Sequence, residues 1–103
     1  MQEALKGSTL VPMRMVELAG DVAENCLAVA SMGNRNAITD AGVSALLIKA
    51  ASRGAAMNAR INLSSIEDGS FVEENLRRLE ADLERTGTAA DKVLAAVSSE
   101  LPR

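Results

Sequence analysis

A chain of 103 residues forms one small domain, and such a domain buries only about two-thirds of the surface its unfolded form exposes. Alanine dominates an apolar content of 48% and Phe71 is the only aromatic residue, so each buried side chain removes little area from water and burial by a second chain is expected. A net charge of -3 argues against nucleic acid as a partner, and the absence of histidine removes both the usual general base near neutral pH and the commonest zinc ligand.

The elements are predicted in chain order as follows. Residues 1–9 are polar and are expected to form a flexible N-terminal segment, leaving residues 10–103 as a helical domain. The first helix is predicted from Leu10 to Met32, with Val11, Met15, Leu18, Val22, Cys26 and Val29 recurring at spacings of three and four on one apolar face. Arg14, Glu17, Asp21 and Glu24 fall on the opposite side, and Gly33 stands where a left-handed C-terminal cap belongs. The single cysteine, Cys26, is expected as a buried thiol.

A second helix is predicted from Thr39 to Leu63, with Thr39 as N-cap and Asp40 at the positive end of the dipole. Its many alanines suggest close packing on several sides, and Gly54 a close contact or a kink. A third helix opens at a capping box, Ser70 with Glu73, and carries a seam of Val72, Leu76, Leu79 and Leu83. Its charges, including Glu73–Arg77 and Glu74–Arg78 four apart, read as a solvated face. Gly87 is expected to end it, and Thr88 with Asp91 to open a short fourth helix bearing Val93, Leu94, Val97 and Leu101. The sum is an all-α, antiparallel helical bundle of about four helices, completed by oligomerisation. No apolar run approaches the roughly 20 residues that cross a bilayer, and no signal-peptide pattern opens the chain, so a cytoplasmic protein is expected.

Without histidine, chemistry must rest on carboxylates, amides, cations or backbone groups. The polar residues that an alanine-rich helix does not need are Asn34, Asn36 and Asp40 around the start of the second helix, and Asn58, Arg60 and Asn62 near its end. Asparagine is a poor choice inside a helix because its amide competes for backbone bonds. Capping and interhelical hydrogen bonding are the structural readings of these residues, and a binding site is the functional one. Asp40 and Asn58 lie about 27 Å apart on a continuous helix, too far to share one small pocket unless a two-fold dimer pairs the helix antiparallel with its copy.

The run "GNRNAITDAGVSALLIKAASRGAAMNARINLSSIEDGSF", residues 33–71, resembles the cyclodeaminase/cyclohydrolase family. The resemblance rests on Gly33-Asn34, Thr39-Asp40, Gly54-Ala55, Asn58, Ile61-Asn62-Leu63, Asp68 and Phe71, together with "VPMRMVELAGDVAE" upstream. The family includes the C-terminal domain of formiminotransferase-cyclodeaminase and stand-alone bacterial methenyltetrahydrofolate cyclohydrolases. It implies a helical homodimer or larger oligomer acting on tetrahydrofolate derivatives, with no metal and no tightly bound cofactor. The implied chemistry closes or opens the ring at the carbon between N5 and N10, as a lyase or a hydrolase. Asp40 is the implied catalytic residue, for acid/base or cation-stabilising work, and Asn34, Asn36, Asn58 and Asn62 are the implied substrate-binding residues. Family domains are roughly twice this length and carry a "PGGGS"-like segment in their first half, so the chain is expected to correspond to a C-terminal half. A non-catalytic assembly module of the same family is the alternative.

Overall fold

The two connections between helices determine the topology. In the computed structural model, which describes residues 1–102, α1 (Gln2–Ala30), α2 (Arg35–Leu63) and α3 (Gly69–Glu100) are joined by residues 31–34 and 64–68 alone. Links this short make each helix return antiparallel to the one before. All three helices pack against one another, giving a slender bundle of 53 × 20 × 16 Å. The described residues are all helix and connection, as expected, but there are three helices instead of four.

The expected break at Gly87 does not occur. Leu79, Leu83, Thr86, Ala90, Val93 and Val97 follow at spacings of four, three, four, three and four, so a single stripe runs in phase through the glycine. Burial along that stripe outweighs the roughly 1 kcal/mol that glycine costs inside a helix. Thr88 is exposed, and Asp91 caps nothing; its carboxylate instead accepts from Lys49 Nζ of α2 at 2.6 Å.

The other helix ends also differ from expectation, each because a better cap lies nearby. α2 begins at Arg35, since Asn34 Oδ1 accepts from the backbone N–H groups of Asn36 at 3.0 Å and Ala37 at 3.4 Å. Thr39 is therefore inside the helix, where its hydroxyl donates to the Asn36 carbonyl. α3 is capped by Asp68, not Ser70; Asp68 Oδ1 accepts from the Phe71 N–H and from the Ser70 hydroxyl. The Glu73–Arg77 and Glu74–Arg78 pairs are not among the ion pairs formed by the described residues. α1 starts at Gln2, eight residues before the predicted start. Gln2 bridges the α2–α3 connection, donating to the Ser65 carbonyl and accepting from the Glu67 N–H. Lys6 pairs with Asp68 at 2.9 Å and lies 5.2 Å from the Phe71 ring centroid, a cation–π distance.

Alanine sets how closely the helices approach. One core cluster joins Met13, Val16, Ala55, Ala56, Ala59 and Leu79, and the other joins Ala30, Ile38, Ala41, Ala45, Ala90 and Val93. Gly20 and Gly42 are contact points of the same kind. A Cβ on Gly20 would collide with the Arg85 guanidinium, and one on Gly42 would come within 2.8 Å of Val97. The buried hydroxyls of Thr9, Ser52 and Thr86 donate to carbonyls three or four residues earlier, so burying them leaves no donor unsatisfied.

The apolar face predicted for α1 points outward. Val11 (64% exposed), Met15 (53%), Leu18, Val22 and Val29 face solvent, while Thr9, Pro12, Met13, Val16, Gly20, Ala23 and Ala30 face the bundle. Both stripes have helical spacing. The stripe of smaller residues is inside because it permits close approach, and the larger side chains are left outside. α2 does the same with Val43, Leu46, Leu47, Met57 and Ile61. Gly54 has nothing within 4 Å of its would-be Cβ, so of the two expectations for it the close contact is not made within this chain.

Leu79 is fully buried where the three helices meet, so Leu79→Ala is expected to lower the unfolding free energy by about 2–5 kcal/mol in urea titrations. The Lys6 ammonium, followed by the Phe71 N–H and the Ser70 hydroxyl, holds the Asp68 carboxyl down to about 2. Its contribution is complete above about pH 4 and is lost as pH falls through about 2. Asp68→Ala should therefore melt several degrees below the wild type at pH 7, with the gap closing near pH 2, as read by circular dichroism.

Candidate functional site

The polar cluster at the α1–α2 connection forms through chain geometry. Gly33 has a φ of +75°, a conformation that costs other residues a steric penalty, and it turns the chain out of α1. Asn34 follows in an extended conformation and caps α2, so its carbonyl oxygen is already engaged by the backbone. Only its amide N–H groups remain for another partner. Asn36 is exposed in the first turn of α2.

Asp40 lies in the second turn, also exposed, on the side of α2 that faces α1. There it lines a groove of about 350 Å³ with Ala37, Ala41 and Ser44 of α2 and with Val22, Asn25, Cys26 and Val29 of α1. Cys26 is half-buried in this groove and is a free thiol. Asn25 was not among the residues expected from sequence. The rule that singled out Asn58 and Asn62, an asparagine spent inside a helix, applies equally to it.

Asn58 and Asn62 lie at the far end of the same helix, Asn58 exposed and Asn62 half-buried. Among the described residues neither side chain makes a hydrogen bond within the chain, so the expected interhelical bond is absent. α2 is unbroken from Arg35 to Leu63, and the eighteen residues between Asp40 and Asn58 make about five turns. The two side chains thus leave the helix in nearly the same direction, about 27 Å apart along it. The structure brings Asn34, Asn36 and Asp40 to one end of α2, and Asn58 and Asn62 to the other.

Three further polar arrangements were not foreseen. Between α2 and α3 a cleft of about 370 Å³ is lined by Lys49, Arg53 and Arg60, with Met57, Leu83 and Glu84. Arg85 straps α3 to α1: it donates to the Glu17 carbonyl at 2.8 Å and to Asp21 and Glu24 at 3.0 and 3.2 Å, lying over Gly20. Asn75 is buried and donates to the Phe71 carbonyl at 2.8 Å, while its own carbonyl oxygen has no partner among the described residues. No helix among the described residues is long and apolar enough to cross a membrane.

A carboxylate and a carboxamide in an apolar groove, on an alanine-packed helical frame, is chemistry suited to proton transfer on an uncharged or cationic organic ligand. Comparison with known sequences gives this frame its family. The chain belongs to the formiminotransferase-cyclodeaminase family, whose profile matches residues 1–81. It is 37% identical over 101 residues to methenyltetrahydrofolate cyclohydrolase of Methylorubrum extorquens, an alignment covering 98% of this chain and 49% of that protein. It is 27% identical over 99 residues to the formimidoyltransferase-cyclodeaminases of rat and of mouse, covering 96% of this chain and 18% of each. The chain thus spans about half the length of the bacterial relative and under a fifth of the mammalian ones.

The capping role of Asn34 can be separated from any role in binding. Asn34→Ala should cost about 1 kcal/mol of stability by thermal or urea unfolding, while Asn34→Asp, which retains the accepting oxygen, should cost far less.

Proposed function

We propose that this chain takes part in folate one-carbon metabolism, in cyclodeaminase- or cyclohydrolase-type chemistry that closes or opens the ring at the carbon between N5 and N10 of tetrahydrofolate. The observation that carries this reading is the 37% identity to a methenyltetrahydrofolate cyclohydrolase across 98% of the chain. In this reading Asp40 moves a proton to or from the tetrahedral carbon's substituents, or steadies the cationic methenyl form. Both directions pass through a carbon bonded to two nitrogens and a leaving group, so a carboxylate placed beside it supplies what histidine would elsewhere. Asn34 and Asn36 offer amide groups at the same end of α2, and Asn58 and Asn62 hold the pterin or amidine.

The separation along α2 is resolved by a homodimer, or a larger oligomer containing that pair, in the cytoplasm. An antiparallel two-fold pairing of α2 with its copy sets Asp40 of one protomer opposite Asn58 and Asn62 of its partner. Support comes from the outward apolar residues of α1 and α2. Two 29-residue helices, each about 43 Å long and side by side at 8–10 Å, present a face on the order of 800 Å², the size one partner contributes to a stable interface. Ala51 and Gly54 lie on this exposed side, whereas Ala45 is inside the bundle. The same face also favours a second reading, a non-catalytic assembly module, because it does not depend on Asp40.

Turnover of 5,10-methenyltetrahydrofolate, followed spectrophotometrically, separates the two. Asp40→Asn should lose about a hundredfold or more of the activity with its melting temperature preserved. Full activity in that variant removes Asp40 from the mechanism. If a stable oligomer shows no turnover and no change in melting temperature with a reduced folate, the assembly reading holds. Ala51→Leu should weaken association in sedimentation experiments without unfolding the chain.

A further inference from the structure

We infer that the α1–α2 groove seats the ring system of the reduced folate, and that Asn25 of α1 is a substrate-contacting residue of the site. This inference rests on the folate reading above and adds an element, α1, to a site that the sequence placed on α2 alone.

The groove has the composition of a small-molecule seat. Val22, Val29, Ala37 and Ala41 give it apolar walls, and its volume of about 350 Å³ lies at the small end of the range for ligand pockets. Three polar side chains enter it: Asp40 and Ser44 from α2, and Asn25 from the facing side of α1. Among the described residues none of the three side chains makes a hydrogen bond within the chain, so all their bonding capacity is open to a ligand. Neither helix needs them for capping, since Asn25 lies five residues before the end of α1 and Asp40 and Ser44 lie beyond the first turn of α2.

The chemistry of a reduced pterin matches this lining. Its pyrimidine edge alternates N–H donors with carbonyl and ring-nitrogen acceptors, and its faces are weakly polar. A primary amide is the one uncharged side chain that presents two donors and an acceptor together. Asn25 supplies such an amide on the wall opposite Asp40, within one protomer. Asn58 and Asn62 cannot do so in the same chain, being about 27 and 33 Å away along α2. The basic cleft between α2 and α3 lacks a carboxamide altogether.

Cys26 makes the groove directly readable, since it is the chain's only cysteine and lines the same space. The probe is 5-formyltetrahydrofolate, with its affinity measured by calorimetry and the rate of single-site alkylation by N-ethylmaleimide measured by mass spectrometry. The folate is expected to slow Cys26 alkylation at least severalfold. Asn25→Ala should weaken binding about tenfold, equivalent to about 1.4 kcal/mol, with the ligand-free melting temperature unchanged. Ala37→Leu, which narrows the groove from the other wall, should weaken binding as well. If the folate binds the wild type while Cys26 alkylates at its unliganded rate, or if Asn25→Ala binds as the wild type does, the groove assignment is overturned and the folate reading stands. If the wild-type chain binds no folate by calorimetry, both fail together.

Discussion

Close approach between helices is the constraint from which the rest of this structure follows. A core built from Ala23, Ala30, Ala41, Ala45, Ala55, Ala56, Ala59, Ala89 and Ala90 holds together only if the backbones come near enough for methyl groups to touch. The inner stripes of α1 and α2 are therefore rich in alanine and glycine, and most of the larger apolar side chains of those two helices lie outside. Larger side chains are also admitted to the core, among them Met13, Val16, Ile38, Leu63, Leu79 and Val93. Arg85 belongs to the same economy, because its guanidinium fits only where Gly20 offers no side chain.

The straightness of α2 has a parallel effect on the site. Residues eighteen apart on an unbroken helix point the same way and cannot meet, so Asp40 and Asn58 do not line one pocket within the chain. The groove against α1 gives the Asp40 end a second wall from within the chain. At the Asn58 end, the neighbouring Met57 and Ile61 are the most exposed of the outward apolar residues on α2. The two ends therefore differ: Asp40 lies in an open groove between two helices, and Asn58 lies on exposed helix surface.

Much of the frame was legible in the residues. The helical class, the stop at Gly33 and the presence of α2 and α3 follow from periodicity and punctuation, and the family follows from the motif run in residues 33–71. The misreadings have physical causes. Caps compete locally, so Asn34 and Asp68 displaced Thr39 and Ser70 once the backbone donors were in reach. Gly87 reads as a terminator in isolation, yet the stripe on either side of it is in phase and burial decides. The stripe on α1 is the most instructive case, because spacing reports that a face is apolar and not which partner covers it. Asn25 carries the same signal as Asn58 and Asn62, an asparagine inside a helix, but only α2 packed beside it gives that signal a groove to line.

A partner on the outward face of α1 and α2 would make the stability of this chain a matter of mass action. Whatever binds that face, binding the folded state alone, adds RT ln(1 + [L]/Kd), about 2.7 kcal/mol when the partner is present at a hundred times its Kd. Folded domains hold only about 5–15 kcal/mol in reserve, so that increment is a substantial share of the whole. The melting temperature of such a chain is then a function of concentration, and a substitution on the outer stripe can shift it without touching a single contact inside the bundle.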